Sequence, residues 1–205
     1  METRNSKLRH LNLAVKAHLI HRFINLLEHG FKLKVQTGLS IKELLCVNLG
    51  ISDDYLDNRI QTLFIDGKPV DNVDNARVFD GARIALSAAM PGLVGATFRK
   101  GGQYASFRGT ISYSDTKNYS AKGEGKIMLK FFNMVAKELG PNFLQKGIIL
   151  EGKRFQNFVL RNLEDLKTAC TAIHLNDAEI DFAGLKEMKW EEQEVFLQVT
   201  SEKSA

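Results

Sequence analysis

The stretch RIQTLFIDGKPV, residues 59–70, narrows the folds open to this chain more than any other. Asp66-Gly67 is the dipeptide of a tight type I′ turn, in which both central residues take positive φ. The run before it is rich in residues that suit a pleated sheet. A hairpin here commits the chain to at least one sheet. A second turn signal, Asp80-Gly81, precedes ARIALSA, a strand with Ile84 and Leu86 on one face, and Met90-Pro91-Gly92 terminates it.

Upstream, LNLAVKAHL at 11–19 alternates apolar and polar residues as a strand does. From about 17 to 29 the period changes. Leu19, Ile20, Phe23, Leu26 and Leu27 form one stripe, and His18, His21, Arg22, Asn25, Glu28 and His29 the opposite one, the spacing of an amphipathic helix stopped by Gly30. Phe31, Leu33 and Val35 then alternate with Lys32, Lys34 and Gln36, a half-buried strand. Ser40 and Glu43 have the spacing of a capping box, and Leu39 and Leu44 that of a hydrophobic staple, so a helix is expected over 41–48.

The order strand, helix, strand, helix, strand, turn, short strand, strand resembles the β-grasp (ubiquitin-like) superfamily, and within it the bacterial sulfur carriers, the small subunit of molybdopterin synthase and the thiamine-pathway carrier. The residues that carry the resemblance are IDGKPV, FDGARIAL and SIKELL, and it covers about residues 11–95. The resemblance implies a carrier that works through a free C-terminal Gly-Gly, where glycine lets the tail thread a narrow channel. Here the corresponding strand runs into AAMPGLVGATFRKGGQYASF, and the chain continues past Gly92, Gly95 and Gly102. Carrier chemistry would require cleavage after Gly102, making Gly101 and Gly102 a processing site. The alternative is a tight turn, with TFRK and QYASF as two strands around the glycine pair.

The second half mixes helical and strand patterns. SDTKNYSAKGEG, residues 114–125, is a polar linker; KIMLKFFNMVAKELGP is a helix stopped by Gly140 and Pro141; GIILEG is a short strand. FQNFVLRNLEDLKTAC is helical, TAIHLNDAEI is a hairpin about Asn176-Asp177, and EVFLQV is a last strand. The final stretch follows the plan of residues 63–88, so a degenerate second β-grasp unit is one reading, and convergence of a common hairpin is the other. The expected class is α+β: an N-terminal β-grasp domain over 1–115 and a C-terminal α/β domain over 122–205.

Composition excludes several functions. At 44% hydrophobic and 25% charged the chain is of globular type. No apolar run reaches the roughly 20 residues of a bilayer span, and the start lacks the apolar core of a secretory signal, so a bacterial cytoplasmic protein is the expectation. The net charge of +4 lies in residues 1–100 and is too mild for nucleic-acid binding. Cys46 and Cys170 are too far apart for a metal or redox motif, and the histidines between 10 and 29 lack further ligands at metal spacing. No phosphate loop or nucleophile elbow is present. The expected function is therefore a non-enzymatic protein–protein interaction module without cofactor, metal, membrane or small-molecule ligand. Lys32, Lys34, Arg99 and Lys100, read as lying on strands of one sheet, would contact an acidic patch on a protein partner or a second copy. The alternatives are the precursor cleaved after Gly102 and an enzyme with a pocket between the two halves.

Overall fold

The computed structural model describes residues 8–114, 122–190 and 192–202. The first half of the chain runs β1 (Leu8–Lys16), α1 (Ile20–His29), β2 (Phe31–Thr37), two π-helical turns (Glu43–Asn48 and Tyr55–Arg59), β3 (Thr62–Ile65), β4 (Lys68–Pro69) and β5 (Arg83–Ser87). A connector follows, holding α2 (Gly92–Phe98) and a 3-10 turn (Ala105–Arg108). The second half runs β6 (Gly123–Phe132), α3 (Asn133–Lys146), β7 (Ile148–Glu151), α4 (Gly152–Arg161) and α5 (Leu163–Ala169). It ends with β8 (Cys170–Leu175), β9 (Ala178–Glu179), α6 (Phe182–Glu187) and β10 (Glu194–Glu202). The protein is α+β.

These elements make two compact units, residues 27–138 and residues 1–26 with 139–205. In the first, the strand order is β4-β3-β5-β6-β2. β3 is antiparallel to β4 and β5, β5 is parallel to β6, and β6 is antiparallel to β2. The order in the second is β9-β8-β1-β10-β7. There β8 is antiparallel to β9 and β1, β1 is parallel to β10, and β10 is antiparallel to β7. The two sets of five strands thus repeat one pattern of directions.

Local chemistry repeats with it. The hairpin β3–β4 turns through Asp66 and Gly67 at φ 49° and 79°, and β8–β9 through Asn176 and Asp177 at 48° and 68°. Gly30 and Gly147, each between a helix and the following strand, take φ 102° and 103°. A Cβ on Gly147 would stand 2.2 Å from Cζ of Phe196 on β10, and one on Gly30 3.1 Å from Cγ of Lys130 on β6. Gly147→Ala meets both backbone strain and a ring, and should cost about 2 kcal/mol, read as a lower urea midpoint.

The core of 27–138 is built by the period-2 and helical patterns read from sequence. Phe31, Ile84 and Leu86 are buried on the sheet, and Ile41, Leu44 and Leu45 on the helical layer. The capping box is formed: the Ser40 N–H donates to Glu43 Oε2 at 2.7 Å and the Glu43 N–H to Ser40 Oγ at 3.1 Å. Beyond Lys42 the turn is wound as π rather than α, the Leu49 N–H bonding the Leu44 carbonyl at 3.0 Å. In the other unit β1 buries Leu11, Leu13 and Val15, and the ring of Phe23 on α1 lies 4.8 Å from that of Phe158 on α4, tilted by 46°.

Four expectations are corrected. The division at 115–122 is not where the units part, because β6, which follows it, pairs with both β2 and β5; residues 115–121 of the linker lie outside the described residues. The helix read over KIMLKFFNMVAKELGP is a strand to Phe132, and α3 begins at Asn133, whose φ of 54° makes the switch. Gly140 and Pro141 lie inside α3, which stops before Gly147. The two strands around Gly101-Gly102 are helical, α2 on one side and the 3-10 turn on the other.

Candidate binding face

The sheet of residues 27–138 has one buried and one open face, and strand alternation decides which side chains reach each. On β6, Ile127, Leu129 and Phe131 are buried while Lys126 and Phe132 are exposed and Met128 and Lys130 half-buried. On β2 the outward set is Lys32, Lys34 and Gln36, and on β5 it begins with Arg83 and Ala85. Register aligns these residues in rows. Arg83 and Lys32 flank Met128, Lys34 lies opposite Lys126, and Phe64 of β3 and Lys130 flank Ala85. Five cations thus share one face: Lys32, Lys34, Arg83, Lys126 and Lys130. On β2, β5 and β6 the only carboxylate is Glu124. A hollow of ≈ 780 Å³ opens among Phe64, Asp66, Arg83, Ala85, Lys130 and Phe132.

Of the four basic residues expected to act together, Lys32 and Lys34 are on this face. Arg99 and Lys100 are not on a strand; they follow α2. Arg99 is exposed, but Lys100 turns inward, its Nζ donating to the Leu56 carbonyl at 2.8 Å and lying 4.0 Å from the Asp57 carboxylate. Burial pulls the Lys100 pKa down, and Asp57 opposes that pull. Lys100 is therefore an internal prop. Gly101 takes φ 60°, and its N–H donates to Asp71 Oδ1 at 3.2 Å, while the Gly102 N–H donates to the Arg99 carbonyl at 3.1 Å. The glycine pair occupies a closed turn.

At the C-terminal end of the same unit, Glu138 of α3 accepts from the Tyr55 hydroxyl at 2.7 Å and from both Nε and Nη2 of Arg59. These bonds, those from Arg59 first, hold the Glu138 carboxyl at about 2, against an ordinary value of 4.5, and burial with Glu138 pushes the Tyr55 phenol up. Because the folded value is the lower one, the contribution to stability is present above pH 4.5 and is lost as pH falls toward 2. Glu138→Gln should flatten the loss of stability across that window, checked by urea midpoints at a series of pH values.

Among the described residues no three His, Cys, Asp or Glu side chains gather as a metal site, and no helix is long and apolar enough to cross a membrane. His18 and His21 are exposed. Comparison with protein-family models, curated proteins and solved structures finds no match to this chain.

Sequence reasoning missed Arg83, Lys126 and Lys130. Its signal was present in KIMLKFF, where Lys126, Met128 and Lys130 alternate with Ile127, Leu129 and Phe131. The helical stripe continuing into Val135 and Leu139 obscured it.

Proposed function

We propose that the protein is a non-enzymatic β-grasp interaction module that presents the open face of residues 27–138 to an acidic surface of a protein partner. The observation that carries this reading is the cation array across β2, β5 and β6, with one carboxylate on those strands. The β-grasp assignment is supported by the strand order β4-β3-β5-β6-β2, a mixed sheet with a single parallel pair and a helical layer on its buried face. In that reading β6 takes the place the resemblance gives to the first strand, and β1 serves the other unit.

An array of this kind steers association by charge, and its effect fades as the Debye length shrinks from about 8 Å at physiological salt to about 3 Å at 1 M. The test is capture from native lysate by the wild type and by Lys34→Glu/Arg83→Glu/Lys126→Glu. A partner retained by the wild type at low salt, lost at high salt and lost by the triple variant supports the reading. Equal recovery by both proteins at both salts overturns it.

A further inference from the structure

Residues 81–114 contain no Asp or Glu and four cations, of which Arg83 and Arg99 are exposed while Lys100 and Arg108 are bonded internally. Within this stretch Leu93, Val94, Tyr104, Phe107 and Ile111 are 74, 56, 40, 85 and 50% exposed. Nine large apolar side chains are exposed among the described residues, so more than half of them fall within nineteen positions of one connector. They belong to one small body. The buried Arg108 guanidinium ties the 3-10 turn to the carbonyls of Thr97 and Arg99 at 2.7 and 3.0 Å, and the rings of Tyr104 and Phe107 lie 6.3 Å apart. Phe98, at the end of α2, meets Phe64 of the basic face at 5.5 Å, so the apolar body adjoins the cations.

Two features choose the occupant. A Phe at 85% exposure and a Leu at 74% stand clear of their own surface as separate knobs. A protein would need a fitted pocket for each, whereas the headgroup–acyl boundary of a bilayer takes up such knobs without a matching shape. Charge is the second feature: the connector has no carboxylate of its own, and Asp71, which it holds, is paired with Arg108. An anionic leaflet repels acidic residues and favours Lys and Arg beside inserted apolar groups.

We infer that residues 92–111 dock on an anionic lipid surface, with Leu93, Val94 and Phe107 entering the headgroup boundary and Arg99 and the neighbouring sheet cations facing the lipid charge. This departs from the sequence-based expectation of no membrane partner and does not depend on the proposed protein partner.

The experiment is sedimentation of the full chain with sucrose-loaded vesicles, either phosphatidylcholine alone or equal parts phosphatidylcholine and phosphatidylglycerol. The wild type should pellet with the mixed vesicles severalfold more than with phosphatidylcholine alone. Leu93→Ser/Phe107→Ser, both at exposed positions, should keep the wild-type circular dichroism and urea midpoint and lose at least four-fifths of the pelleted fraction. The inference is overturned by a wild type that stays in the supernatant with both vesicles, or by a folded double variant that pellets as well as the wild type. It is equally overturned if the knobs serve self-association, seen without lipid as a wild-type dimer on gel filtration that the double variant lacks.

Discussion

Expressed alone, residues 27–138 should fold and melt cooperatively in urea, and residues 1–115 should not. The second fragment ends before β6, although it follows the boundary that the sequence suggested. β6 is an interior strand of its sheet, with β2 on one side and β5 on the other. It contributes Ile127, Leu129 and Phe131, none more than 1% exposed. Burying three such side chains is worth about 6 kcal/mol, comparable to the whole stability of a small domain. Two ladders of backbone hydrogen bonds go with them, and β2 and β5 would each be left with an unpaired edge. Fragment 27–138 keeps all five strands, the helical layer, and Glu138 with its partners Tyr55 and Arg59. The measurement is far-UV circular dichroism with a urea titration of each fragment. A cooperative transition in 1–115 would mean that β6 is dispensable and the strand order wrong. An unfolded 27–138 would mean that this unit does not stand by itself.

The elements legible in the sequence were those specified by neighbouring residues. The capping box of Ser40 and Glu43 was readable because both partners lie within one turn. The hairpins at Asp66-Gly67 and Asn176-Asp177 were readable because few residues tolerate the φ values they take. What stayed hidden depends on pairing between distant segments. Nothing local to LNLAVK says that β1 will sit between β8 and β10, more than 150 residues on. Nothing local to KIMLKFF says that it will part β2 from β5. Lys100 failed for a related reason: whether a cation faces water depends on what the fold brings beside it, and here the Leu56 carbonyl drew the lysine in, while Arg99 stays exposed but follows a helix instead of lying on a strand. The connector was misread because two glycines between alternating flanks suggest a hairpin. The pattern carries no sign that Arg108 will be buried and will draw both flanks into helical turns.

Arg108→Ala should be among the most damaging single substitutions in the connector, at about 3 kcal/mol, since it leaves two carbonyls without their donor and Asp71, 32% exposed, without its counter-ion. Arg108 is 2% exposed and uses all three of its side-chain nitrogens. Nη1 and Nη2 hold Asp71 as a fork at 2.8 and 2.6 Å, Nη1 also reaches Ser112 Oγ at 2.9 Å, and Nε and Nη2 take the carbonyls of Thr97 and Arg99. Asp71 in turn accepts from the Gly101 N–H, so the same ion pair closes the glycine turn. Lys in place of Arg keeps the charge but not the fork, and should recover only part of the loss. The check is a urea titration of Arg108→Ala and Arg108→Lys, joined to limited proteolysis read by mass. In the wild type the turn at Gly101-Gly102 is closed and should resist cutting, since a protease needs an extended segment. In Arg108→Ala, cuts should cluster between residues 99 and 112 while the strands stay intact. If the wild type, isolated from its own cells, already carries a fragment ending at Gly102, then the turn opens in the cell and the glycine pair is a processing site. A full-length wild type with a protected turn assigns Asp71, Gly101 and Arg108 to holding the connector shut.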